Sequence, residues 1–163
     1  MRKLVLLPLV MPLTAMAATS FDGCYSKVEK ITIRYEQPET IATVVNHLGI
    51  KKISESTYAF SLFLTGDNHH LCTAEGKAKL VKTGTAMMLR MIPEATDATE
   101  PEEFARCQIG LTLEPSEIRV SEIAGKCGEH FLCGQGMGFS QATFPRKSRQ
   151  PVPDSVTSCT PTP

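Results

Sequence analysis

The 163-residue chain has no excess of either charge: 17 lysines and arginines stand against 17 aspartates and glutamates. That balance leaves no electrostatic footprint for nucleic acid or for an anionic membrane surface. Beyond the first 17 residues there is no apolar run approaching the roughly 20 residues that a spanning helix requires. Spacings that carry catalysis are missing too. No G-x-S-x-G or H-E-x-x-H occurs, so the nucleophile elbow and the helical zinc-protease motif are excluded. No C-x-x-C occurs, which removes thioredoxin-type chemistry. Gly134, Gly136 and Gly138 alternate without making G-x-G-x-x-G, and no lysine follows to meet phosphates. Serines, histidines and carboxylates fall in no favourable set. The chain is read as non-enzymatic, with no cofactor and no metal.

What is present begins with an export signal. MRKLVLLPLVMPLTAMA has Arg2 and Lys3 ahead of an apolar stretch, then the small residues Ala15 and Ala17. This pattern predicts a secretory signal peptide over residues 1–17, cut after Ala17. No cysteine directly follows the cut, so no lipid anchor is expected. Cleavage leaves 146 residues, one ordinary domain, and takes Arg2 and Lys3 with it, so 15 cations face 17 carboxylates. All six cysteines lie in the mature part: Cys24, Cys72, Cys107, Cys127, Cys133 and Cys159. An even number in an exported chain predicts three disulfides in a periplasmic or secreted protein.

The stretch KCGEHFLCGQGMGF, residues 126–139, places His130 between Cys127 and Cys133. A zinc site would need three or four ligands at suitable spacing. In an oxidising compartment these thiols pair instead, so a Cys127–Cys133 bond is expected. His69 and His70 are read as a solvated hairpin loop, and Met87, Met88 and Met91 as packing residues rather than copper ligands.

Alternation of Ile31, Ile33 and Tyr35 predicts a strand. Pro38 and Glu39 then suit a helix start, and Ile41, Val44, Val45 and Leu48 follow at helical spacing up to Gly49. A helix is therefore expected over residues 38–48, with His47 near its C-terminal end. Strands are expected over residues 58–64, 72–80, 86–92, 107–113 and 118–123, and a last one over 134–144. The alternate glycines of that last strand, like the small residues facing one way in 72–80, leave a bare face for large residues such as Phe60 and Phe104. Residues 146–163 form a loose Pro/Ser/Thr-rich tail that Cys159 pins. One helix and six or seven short strands predict a mainly β, α+β domain over residues 18–145: a small antiparallel barrel or strongly curved sheet, closed on one side by the helix and stapled by disulfides.

The pattern of His70, Cys72, Gly76 and Ala78, then Cys107, Ile109 and Leu111, then Cys127, Cys133 and Gly134 resembles the cysteine-containing C-terminal module of bacterial lysozyme-inhibitor-like envelope proteins. It covers residues 58–145. The resemblance implies a small periplasmic β-rich binder whose disulfides hold the sheet. Alongside it Cys72 is expected to pair with Cys107, and Cys24 with Cys159.

Between the third and fourth of these strands lies PEATDATEPEE, residues 93–103, with Glu94, Asp97, Glu100, Glu102 and Glu103. Its plain reading is a solvated connection. Its functional reading is a patch that steers a basic partner. The expected function is thus a secreted, non-catalytic binding protein, an inhibitor or immunity protein acting on a lysozyme-like cell-wall hydrolase, with those five carboxylates as partner-binding residues. The alternatives are a structural envelope component, and a metal-binding protein or hydrolase using His69, His70 and His130.

Overall fold

The computed structural model describes residues 20–35, 37–83, 86–92, 107–124, 127, 133–134, 137–140, 142–156 and 159. Eight strands run in chain order as one antiparallel meander: β1 Gly23–Ile33, β2 Thr40–Lys52, β3 Thr57–Thr65, β4 Leu71–Thr83, β5 Ala86–Ile92, β6 Gln108–Leu113, β7 Glu117–Ala124 and β8 Thr143–Pro145. The sheet curls into a nearly closed barrel.

Period-two alternation decides which face each residue takes. Across β3 and β4, Phe60 faces Gly76 and Leu62 faces Ala74, so large residues meet small ones. Leu89 on β5 faces Leu80 on one side and Leu111 on the other. Phe60, Leu62, Ala74, Leu89 and Leu111, with Tyr25, Leu48, Ile50, Ile118, Val120 and Phe144, are buried in one core, and the half-buried Leu80 packs against it. Eight strands enclose a space that side chains can fill by themselves. Each fully buried aliphatic or aromatic residue contributes roughly 1.5–3 kcal/mol of transfer free energy. Phe21 caps the core near the start of β1, its ring edge-on to Tyr58 at 6.1 Å between centroids.

The outer edge of β1 is where a meander would stay open. The chain after β8 closes part of it. The Cys24 N–H donates to the Gln150 carbonyl at 2.9 Å and the Gln150 N–H returns to Cys24 at 2.8 Å. The Ser26 N–H donates to Ser148 Oγ at 3.0 Å. At the other end of β1 the turn between β3 and β4 serves instead: Thr32 N–H donates to Asp67 Oδ1 at 2.9 Å and Arg34 N–H to Asn68 Oδ1 at 2.6 Å. Among the described residues of β1, the stretch around Val28 and Lys30 is left exposed, and a lysine there is a common guard against edge pairing.

The expected helix over residues 38–48 is strand β2. Thr40, Ile41, Thr43, Val44 and Val45 are all β-branched and lose χ1 freedom in a helix. The apolar spacing that suggested a helix divides between two faces: Leu48 is buried, while Ile41 is 72% exposed. Accordingly His47 lies on the outer face, between Ser26 and Phe63, and not at a helix end. Partial burial holds its pKa below the ordinary histidine value.

The last strand is also shorter than expected. Only Thr143–Pro145 pair with β7; Gly134 and Gly138 lie outside any strand. The tail is not loose over residues 146–156: it makes a 3-10 turn at Arg146–Ser148 and then runs across β1 and β2. Phe104 and Gly136 lie outside the described residues.

Three disulfides staple the barrel: Cys24–Cys159, Cys72–Cys133 and Cys107–Cys127. The first is the expected pair. The other two replace the expected Cys72–Cys107 and Cys127–Cys133 bonds. Strand β5 lies between β4 and β6, so Cys72 and Cys107 are not on neighbouring strands. The chain at Cys133 docks on the start of β4, where the Gly134 N–H donates to the Leu71 carbonyl at 2.9 Å. Cys107 precedes Gln108, which faces Ala124 at the end of β7, three residues before Cys127.

Candidate functional site

Of the residues singled out in the sequence, Glu94, Asp97, Glu100, Glu102, Glu103 and His130 lie outside the described residues. The described residues nearest to the acidic segment on either side are placed. On one side is β5, whose Ile92 pairs with Lys77. On the other is Cys107, buried and bonded to Cys127.

The described histidines do not converge. His69 is exposed and His47 is on the outer sheet face. His70 packs over Gly134, where a Cβ would lie 2.6 Å from its own Cβ. Asn68 and His69 take positive φ, 55° and 56°, a region where Asn and His are enriched among non-glycine residues. The turn they form serves to present Asp67 and Asn68 to the edge of β1. Among the described residues no three His, Cys, Asp or Glu side chains are grouped as a metal site would need. Of the methionine strand, Leu89 is buried, Arg90 exposed and Met88 half-buried on the outer face, beside Gly110.

Two polar constellations emerge that the sequence did not announce. The first faces inward. Lys27 and Glu29 share the face of Tyr25 and Ile31, with Lys27 Nζ 2.6 Å from Glu29 Oε1. Asn46, opposite Lys27 and only 3% exposed, donates from Nδ2 to Glu29 and accepts the Thr65 N–H at 2.7 Å. Strand β2 extends past β3, which pairs with it only from His47 onward. The Asn46 amide therefore takes the place of a missing ladder partner for Thr65. Replacing Asn46 by alanine is expected to lower the unfolding free energy by about 2 kcal/mol, because a buried N–H loses its acceptor. Urea titration checks this. Lys27→Ala is the contrast: its partly exposed ion pair is worth about 1 kcal/mol or less.

The second constellation is a cleft of about 540 Å³ at the opposite end of β1, lined by Asp22, Gly23, Lys51, Lys52, Arg149, Gln150, Pro151 and Val152. Register builds it. Gly23 pairs with Ile50, which brings Lys51 and Lys52 beside the start of β1, and the Cys24–Gln150 bridge brings Arg149 and the following residues to the other wall. Asp22 is spent on backbone: its carboxylate accepts the Lys52 N–H, and its carbonyl accepts Arg149 Nε. Lys51 Nζ donates to the carbonyls of Asp154 at 2.8 Å and Pro153 at 3.5 Å. Beneath, the Tyr25 hydroxyl donates to the Phe21 carbonyl at 2.9 Å. Burial lifts its pKa, while Arg149 and Arg146 pull it down and Asp22 adds to the rise. The only sequence signals were the Lys51-Lys52 doublet and the run RKSR at residues 146–149; neither said that the two would meet.

Compared with known proteins, the chain matches no family model, no curated protein and no solved structure.

Proposed function

We propose that this chain is an exported, non-catalytic binding protein that inhibits a lysozyme-like cell-wall hydrolase, with the acidic segment meeting a basic surface of the enzyme. The observation that carries the reading is the setting of that segment. Five carboxylates within residues 94–103 stand between the last rung of β5 and a disulfide-anchored cysteine, on a barrel filled by its own side chains. A rigid scaffold with charge concentrated in one connection suits recognition of a partner surface, since loops on such scaffolds are the usual carriers of binding. The resemblance of residues 58–145 to lysozyme-inhibitor-like envelope proteins points to the same class of target.

The test is lysis of cell-wall substrate by a panel of lysozymes and bacterial cell-wall hydrolases, with the oxidised mature protein added. Stoichiometric inhibition and a complex that survives gel filtration are expected for at least one enzyme. Replacing Glu94, Glu100, Glu102 and Glu103 by Gln and Asp97 by Asn is expected to slow association with that enzyme ten-fold or more at low salt, and less at high salt. No inhibition across the panel overturns the reading. Unchanged association by the neutral variant removes the acidic segment from it.

A further inference from the structure

We infer that the cleft between β1, the end of β2 and the segment 149–152 is an anion site for a phosphate-bearing ligand. Three cations line it against the one carboxylate of Asp22, so the lining carries a net positive charge. None of Lys51, Lys52 and Arg149 makes an ion pair among the described residues. The cations are also placed. Arg149 Nε is held by the Asp22 carbonyl, which leaves the two terminal nitrogens of its fork to the cleft. Planar guanidinium forks match phosphate oxygens two at a time. Lys51 is held by the tail carbonyls, and Lys52 Nζ has no partner among the described residues.

Gly23 makes this placement available. A Cβ there would lie 2.7 Å from Arg149 Cγ and 3.0 Å from its Nε, so only glycine lets the arginine stem lie across β1. An arginine seated against the backbone beside two lysines, with one carboxylate among them, leaves an excess of positive charge that a bound anion relieves. The inference does not rest on the acidic segment or on any hydrolase, and its failure would leave that proposal standing.

The experiment uses the full oxidised mature protein and follows its backbone amides by NMR. The probes are inorganic pyrophosphate and, separately, vesicles of phosphatidylglycerol with phosphatidylcholine vesicles as the neutral control. Saturable shifts at Gly23, Lys52, Gln150 and Val152 are expected. The affinity is expected to fall at least ten-fold in Lys52→Gln and in Arg149→Gln, and to change by less than two-fold in Lys147→Gln, an exposed cation that does not line the cleft. Lys52→Gln removes no side-chain hydrogen bond or ion pair among the described residues, so it stays informative if Arg149→Gln misfolds. Shifts with pyrophosphate alone identify a soluble or polymer-borne phosphate as the ligand; binding to the anionic vesicles that Lys52→Gln abolishes identifies a headgroup. No saturation with either probe, or equal affinity in Lys52→Gln, overturns the site.

Discussion

Replacing Cys24 and Cys159 by serine is expected to lower the unfolding free energy by about 4 kcal/mol, the largest single loss available outside the core. The bond joins residues 135 apart. In the chain-entropy account, a closed loop of that size restricts the unfolded ensemble by roughly 5 kcal/mol, and measured losses run at about 2–5. Removing Cys107–Cys127, which spans 20 residues, is expected to cost less, about 3 kcal/mol on the same scaling. The long bond also has a local task. It holds the segment that pairs Gln150 with Cys24 and sets Ser148 against Ser26. Without it the open part of the β1 edge would lengthen from Val28 and Lys30 back toward Cys24, and longer open edges invite pairing between chains. Urea unfolding of the oxidised variant against the parent, at several protein concentrations, measures both effects. A loss below about 1 kcal/mol would mean that the tail is held by its hydrogen bonds and not by the disulfide.

The three strands over residues 58–92 were legible because each signal was local. Tyr58, Phe60, Leu62 and Leu64 alternate; the turn at Gly66 follows; and the small residues opposite belong to the next stretch of chain. A hairpin needs no information from elsewhere, and β3, β4 and β5 appear where they were expected. Strand β2 was misread because Ile41, Val44, Val45 and Leu48 satisfy the helical spacing as well as a strand whose two faces are both partly apolar. The stiffness of five β-branched residues between 40 and 45 was the discriminating signal. The disulfides and the cleft were beyond local reading. Cys72 meets Cys133 across 61 residues. Lys52 and Arg149 line one cleft across the seam where the barrel closes, and the closing pair, Cys24 with Gln150, is an isolated bridge that alternation would not reveal.

The clearest test of the tail as a strap is Gly49→Val. Gly49 sits on the outer face of β2, opposite Cys24 and Ser61. It is buried only because the tail lies over it. A Cβ at this position would come within 2.6 Å of both Cys159 Sγ and the Val156 carbonyl oxygen. Valine is expected to destabilise the oxidised protein by about 3 kcal/mol, the upper end for overpacking, because backbone and a cross-linked sulfur must both move. The same substitution behaves differently once Cys24 and Cys159 are serines. The tail can then lift away, and valine is a better strand residue than glycine by about 1 kcal/mol. Gly49→Val should therefore stabilise the serine variant, and the cycle of four proteins should show a coupling of about 4 kcal/mol, far outside additivity for independent sites. An additive cycle would place the importance of Gly49 within the β2 ladder itself. A reversal of sign would show that the glycine is there for the strap, at some expense to the strand that carries it.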